Sequence, residues 1–483
     1  MKKLLSIFFV FVLLCISDFS CLAMEADSLF NVKQNYGEIK VESKNPSELT
    51  NEILHGVISA GGALYNMNNE ITDLNLTGCT GLTDLSGLSG LTNLSILDLT
   101  GCTGLTDVST LSGLTNLEYL YLSGCTVLRN LSGLSGLSHL VWLKLSGCTG
   151  LEYLSGLSGL TNLKYLGLSG CTGLRDFSEL SGLTNLDNLD LSRCTGLKNL
   201  SGLSELTNLS ILDLSGCTGL TDVSALSWLT NLKYLDLSGC TGLTDVSALS
   251  GLTNLEYLDL SGCAAIRNLS GLSELGNLVW LKLSRCTGLT NLSGLSGLTN
   301  LKWFCIFGCT GLSYIDSFPD SLLELRLCHL NLRPYGFTTD LLKYVRERER
   351  RRRHSPTFLY MPPFPRNLEN LDLSGSKGFK SYQEIGELEN LKKLSIADCR
   401  NFVVMPDLRH CDRLEYFDLR GTSFVTGLGE RLVEDAATFG DRDSVVALLN
   451  AIQRKGEKTS GKRGRNGNRS RDGQRPAKRA RRS

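Results

Sequence analysis

The chain has 483 residues, 49 basic against 49 acidic, with 50 glycines, 9 prolines and 17 cysteines. With 42% apolar residues and zero formal charge, it falls outside the highly charged, core-less class of disordered chains. The neutrality is uneven: ten basic residues and one acidic one lie between Lys462 and Arg482, leaving about −9 on the remainder.

Met1-Lys2-Lys3 opens the chain, and the apolar run Leu4–Leu14 after it is too short to cross a bilayer. Cys21-Leu22-Ala23 supplies a small-residue cleavage site, so residues 1–23 read as a secretory signal peptide. No second apolar run follows, and the mature chain is expected to carry no membrane span. Residues 26–45 read as polar and irregular. Asn45-Pro46-Ser47 then opens a helical pattern over Glu48–Ala60, with Leu49, Ile53, Val57 and Ile58 on one face. This helix should cover an open end, giving residues 24–70 the role of N-terminal segment and helical cap.

From residue 71 a single period governs the chain. Cysteines fall at 79, 102, 125, 148, 171, 194, 217, 240, 263, 286 and 309, every interval being 23. The clearest copy is Asn231–Cys240, NLKYLDLSGC, followed by TGLTDVSALSGLT. In it Leu232–Ser238 alternates apolar and polar, a half-buried strand with Leu235 and Leu237 facing the core. The second half is too broken by Gly, Ser and Asp for a long helix and predicts loop and short 3₁₀ segments. Repetition at this length is the signature of a leucine-rich repeat solenoid. The expected fold class is therefore an α/β solenoid, a leucine-rich repeat horseshoe with a parallel concave β-sheet, an irregular 3₁₀ convex side and helical caps.

The repeated cysteine reads as a reduced core fitting that satisfies backbone groups in the turn, rather than as part of a disulfide framework. Asn231 and its counterparts at 93, 116, 162, 185, 208, 254, 277 and 300 predict a second ladder of side-chain to backbone bonds.

The L-x-x-L-x-L strand with the L-x-D-[LV]-x-x-L-x-x-L-x-x-L half resembles the internalin-type leucine-rich repeats. Two departures stand out: cysteine occupies the usual asparagine position, and the SGCTGL turn is one residue longer than that family's usual repeat. A weaker resemblance, over Phe318–Leu322, is to the Pro-containing repeats of bacterial effectors.

Beyond Cys309, the leucine pattern places further ladder positions at Leu330, Ser376, Cys399 and Thr422, for about fifteen coils in all. Regular repeats span 71–332 and diverged ones 367–430. Between them, 333–366 reads as a basic and Pro-rich insertion, with Thr339–Arg353 as a charged helix. Residues 431–456 half-match an ankyrin helix pair and read as a helical C-terminal cap. Residues 457–483 read as a disordered basic tail. Its clusters at Lys462, Arg463, Lys478, Arg479, Arg481 and Arg482 resemble a nuclear-import signal or a nucleic-acid arm contacting phosphate.

No catalytic constellation is present. His55, His139, His329, His354 and His410 are dispersed, and the sequence contains no C-x-x-C pair, phosphate loop or dinucleotide turn. The chain reads as non-enzymatic, with no cofactor. The informative positions face the concave side. Six before each ladder residue stand Asp73, Ile96, Tyr119, Trp142, Tyr165, Asn188, Ile211, Tyr234, Tyr257, Trp280 and Trp303. Four before stand Asn75, Asp98, Tyr121, Lys144, Gly167, Asp190, Asp213, Asp236, Asp259, Lys282 and Cys305.

Rigid aromatics beside the Asp190, Asp213, Asp236 and Asp259 row have the composition of a protein-binding hot region for a partner with a basic patch. A metal on that row is disfavoured because a concave sheet splays the carboxylates. The functional expectation is a secreted protein-interaction module, host-directed, with the host cytosol or nucleus as destination. Two alternatives stand beside it: a surface adhesin, and a recognition subunit of an enzyme such as a phosphatase or ubiquitin ligase.

Overall fold

The computed structural model describes residues 30–35, 38–58, 70–312, 315, 317–330, 363–376, 383–400, 408, 410–422 and 438–439. Fifteen strands, from Ile71–Asn75 to Tyr416–Asp418, each pair in parallel with the strand of the next coil. Register is exact, so each 23-residue step puts equivalent residues side by side: Tyr234 beside Tyr257, Leu235 beside Leu258, Asp236 beside Asp259. The sheet lines one side, and short 3₁₀ helices such as Ser247–Gly251 line the other.

Leucine fills the space between. Leu232, Leu235, Leu237, Leu243, Leu249, Leu252 and Leu255 are completely buried, and the same set recurs in coil after coil. Each contributes roughly 2 kcal/mol of transfer free energy, which a single coil could not realise without its neighbours.

The described cysteines are free thiols, and those of the ladder are fully buried. From Cys102 onward each donates across to the preceding coil, as from Cys240 Sγ to Leu214 O at 3.2 Å and Cys263 Sγ to Leu237 O at 3.1 Å. The bond thus runs between coils, whereas the sequence placed it within the turn. Burial pushes the Cys240 thiol up to about 12 and the Cys263 thiol up as well. Ser376 takes over the position in its coil, donating to Leu327 O at 2.6 Å.

The second ladder is also present. Asn231 Nδ2 donates to Thr207 O at 2.9 Å, and Asn254 repeats this to Thr230 O. Where asparagine is missing, His139 Nδ1 lies 2.9 Å from Thr115 O, and Ser321 Oγ donates to Leu301 O at 2.8 Å in the same place of a later coil.

A third ladder stands on the convex side. Asp84, Asp107, Asn130, Asp176, Asn199, Asp222, Asp245, Asn268 and Asn291 each accept the backbone N–H of the serine two residues on, opening a 3₁₀ helix. Tyr153 occupies this position in one coil and has no oxygen near enough to its backbone to close such a turn, and that coil forms no 3₁₀ segment although it keeps the Ser155-Gly156-Leu157 sequence.

The ends correct three expectations. Within 26–45, Phe30–Asn35 and Glu38–Ser43 form an antiparallel hairpin rather than irregular chain, and its second strand extends the sheet by pairing with Ile71–Asn75. The helix starts later than expected, at Asn51 rather than Glu48; its described part, Asn51–Ile58, buries Leu54, Val57 and Ile58 against the first coil, and residues 59–60 lie outside the described residues. Asn51 anchors it by accepting from the N–H groups of Thr83 and Asp84. At the other end Thr438–Phe439, placed by sequence in a helical cap, is a strand antiparallel to Phe417–Asp418. Glu324–Cys328 pairs directly with Asn370–Asp372, so the intervening segment leaves the sheet unbroken. Most of the 333–366 insertion, most of 431–456, the signal segment and the whole basic tail lie outside the described residues.

Candidate functional site

The strand alternation places Tyr119, Tyr121, Trp142, Tyr165, Asp190, Asp213, Tyr234, Asp236, Tyr257, Asp259, Trp280 and Trp303 on the concave face, opposite the buried leucines. The aromatics do not form one continuous stack. They pair: Trp142 with Tyr165 at 3.7 Å between ring centroids, Tyr234 with Tyr257 at 4.3 Å, and Trp280 with Trp303 at 4.4 Å, all within 7° of parallel. Trp280 is 38% exposed, and Ile211, at the equivalent position between the first two pairs, is 37% exposed.

Gly167 explains the tightest pair. A side chain there would meet Tyr165 Cε1 and Oη at 3.1 Å, so the missing Cβ lets the Tyr165 ring lie over the strand beside Lys144. Trp142 Nε1 is buried without a hydrogen-bond partner. Burial pushes Tyr165 and Tyr121 above the ordinary phenol range, with Asp190 and Asp98 respectively adding to the effect.

The acidic row has a local role that sequence reasoning missed. Asp190 Oδ1 accepts from Ser192 N at 2.9 Å, Asp213 from Ser215 N at 2.8 Å, Asp236 from Ser238 N at 2.7 Å and Asp259 from Ser261 N at 2.8 Å. Asn75 does the same for Thr77 N at 2.9 Å. These are Asx turns closing the strand ends, and Asx at a fixed distance before the turn serine was the available signal. Burial raises the Asp236 carboxyl against the pull of Ser238. Asp259 is 7% exposed and pairs with Lys282 at 3.4 Å, whose Nζ also donates to Tyr257 Oη at 2.7 Å. The row therefore ends in a neutralised residue.

Further along the face the signs change. Lys282, Cys305 and Arg326 are register neighbours, and Arg326 binds Glu324 at 2.6 Å. Among the described residues no group of three or more His, Cys, Asp or Glu side chains is placed to hold a metal ion. No helix among them is long and apolar enough to cross a membrane.

A family model for leucine-rich repeats, two copies to a match, fits residues 184–228 and 230–274. The chain carries leucine-rich repeats. An internalin, inlF from Listeria monocytogenes, matches 79% of this chain and 96% of its own at 22% identity and a TM-score of 0.52, a shared fold. A Leptospira interrogans leucine-rich repeat protein is 24% identical over 70% of this chain and 88% of its own, with a TM-score of 0.48. The functional domain of InlJ from Listeria monocytogenes, described as including a cysteine ladder, is 22% identical over 68% of each chain, with a TM-score of 0.42. No curated protein matches in sequence. The leucine-rich repeat fold, read from the motif, stands.

Proposed function

We propose that this leucine-rich repeat protein is a secreted, non-enzymatic module that binds a protein partner on its concave face. The observation that carries this reading is the set of three stacked aromatic pairs on an open sheet. Large rigid rings that lose little conformational freedom on contact are the side chains that concentrate binding energy. The fold does not demand them, since Ile96, Asn188 and Ile211 occupy the same row in equally regular strands.

Each row carboxylate gives one oxygen to its turn and retains capacity on the other, so the Asp190–Asp236 stretch favours a partner presenting basic side chains. Delivery to a host cell is the biological setting that the signal-like residues 1–23 and the import-like clusters at Lys462–Arg463 and Lys478–Arg482 support. The basic tail then engages an import receptor or phosphate groups, separately from the concave face.

The test is affinity capture with the wild-type chain and a variant carrying Trp142, Tyr165, Tyr234, Tyr257 and Trp280 as alanine, both checked for native circular dichroism. The variant should lose a partner that the wild type holds. An unchanged set of bound proteins rejects the concave face.

A further inference from the structure

The aromatic pairs leave a gap along the concave face. Tyr165 closes the first pair and Tyr234 opens the second, with two coils between them whose residues in the same row are Asn188 and Ile211. Three strand spacings set the two tyrosines about 14 Å apart. Each ring has one face against its pair partner, Trp142 or Tyr257, so its other face is turned to the gap. Asn188 and Ile211 are too short to cover those faces, and Ile211 is 37% exposed. Asp190 and Asp213 stand in the adjacent row of the same two coils.

The neighbouring coils show what such a place takes up. Lys282 Nζ lies 5.1 Å from the centroid of the Tyr257 ring and pairs with Asp259 at 3.4 Å. A cation thus rests on an aromatic of one row and a carboxylate of the other. Asp190 and Asp213 have the same setting without the cation. Each gives Oδ1 to its turn serine, and among the described residues no Lys or Arg pairs with either. Lys144, in the same row, stands two strands from Asp190 on the far side of Gly167. Burial, then the Asp190 and Asp213 charges, raise the Tyr165 phenol; burial, Tyr257, Asp236 and Asp213 raise that of Tyr234. The Asp213 carboxylate is therefore felt by both walls of the gap.

We infer that the gap receives an extended segment of the partner with arginine at alternate positions, Arg-x-Arg, one guanidinium on the free face of Tyr165, the other on that of Tyr234, and Asp190 and Asp213 as counter-ions. The spacing selects this pattern. A guanidinium stacks about 3.5 Å from a ring, which leaves about 7 Å between the two planes. Alternate residues of an extended chain point to one side and are about 6.7 Å apart. Shape selects arginine over lysine. A guanidinium lies flat on a ring while its N–H fork meets a carboxylate, whereas an ammonium is a compact, strongly hydrated charge. This inference rests on the concave face being the partner-binding surface, and it names the chemistry of the partner there.

The experiment titrates the full chain with three dye-labelled peptides of common flanks and different cores, Arg-Ala-Arg, Lys-Ala-Lys and Arg-Ala-Ala-Arg, and follows fluorescence anisotropy. The first should bind on the order of tenfold more tightly than the second, and the third should fall toward the second. Tyr165→Leu with Tyr234→Leu should erase the preference for arginine. Asp190→Asn with Asp213→Asn, which leaves the turn acceptors in place, should weaken the Arg-Ala-Arg and Lys-Ala-Lys peptides alike. Equal binding of those two peptides, indifference to spacing, or a preference that survives in the leucine chain overturns the inference. Should the leucine chain lose its native circular dichroism, the spacing comparison on the wild type decides. The chain's own tail carries the pattern at Arg463 and Arg465, Arg469 and Arg471, and Arg479 and Arg481. If changing these six to glutamine tightens binding of the Arg-Ala-Arg peptide, the tail is the occupant and the external partner is rejected. Capture of a partner that depends on the aromatics, with no arginine preference among the peptides, would reject this chemistry and leave the binding face standing.

Discussion

Raising the pH should unfold this solenoid earlier than its buried leucines would suggest, and the cause is the thiol ladder. Cys125, Cys171, Cys194 and Cys240 are fully buried, and burial pushes each up to about 12. In the unfolded chain a thiol ionises near ~8.5. Between these values the unfolded state has released its protons while the folded state still holds them, so the folded state loses ground as pH rises. The contribution is intact below the unfolded value and is lost progressively up to about 12. Each thiol removes about 1.4 kcal/mol per pH unit in that window, and the four together on the order of 5. A domain stable by about 5–15 kcal/mol is then exhausted within one to three units. Urea unfolding followed by circular dichroism under reductant, at several pH values from neutral to alkaline, measures the slope. Changing Cys171 and Cys194 to serine, which does not titrate there, should reduce it by about two protons. Stability that stays level two units above neutral and beyond, or an identical slope in the serine chain, refutes the reasoning.

Three other substitutions test two of the ladders and the turn beside them. Cys240→Ala removes the bond to Leu214 O and leaves a small void, but that carbonyl keeps Cys217 N at 3.1 Å; the loss in urea should be about 1–2 kcal/mol. Tyr153→Asp supplies the missing Asx acceptor in the coil without a 3₁₀ segment, and should raise the melting midpoint through a gain of up to about 1 kcal/mol. Arg193 holds φ at 58° where Gly170 and Gly216 stand in the flanking coils; Arg193→Gly should stabilise by about 0.5–1 kcal/mol, read by denaturant titration.

The fold was legible because one constraint repeats. A buried leucine must recur wherever the coil turns inward, so fifteen coils state the same rule, and even the diverged strands at Leu325, Leu371, Leu394 and Phe417 obey it. The ends were less legible because a cap has one occurrence. The Phe30–Ser43 hairpin carries polar residues on an edge, where no second copy reveals which of them pair. At the face, positions were readable by alternation, but partners were not. That Asp190 closes its own turn and Lys282 neutralises Asp259 depends on side-chain directions that composition does not encode. His139 shows the same limit: its place in the asparagine ladder follows from period, its ability to serve there from the reach of an imidazole nitrogen.

The two stripes can be separated, because they answer to different demands. The acidic row is partly explained by the fold: wherever Asp stands four before the ladder residue, it accepts the turn N–H. Yet Tyr121, Lys144 and Gly167 occupy that place in coils whose strands are equally regular, so each Asx turn stabilises by a modest amount. Asn75 shows that an uncharged amide makes the same bond. Replacing Asp190, Asp213 and Asp236 by asparagine therefore keeps the turns and removes three charges. Stability should change by less than about 1 kcal/mol. If the row steers a basic partner, the association rate of the wild type should fall as salt rises, and the asparagine chain should bind more slowly with little salt dependence while its dissociation rate stays near that of the wild type. Equal salt dependence in both chains would assign the aspartates to the turns alone and leave recognition to the aromatic pairs.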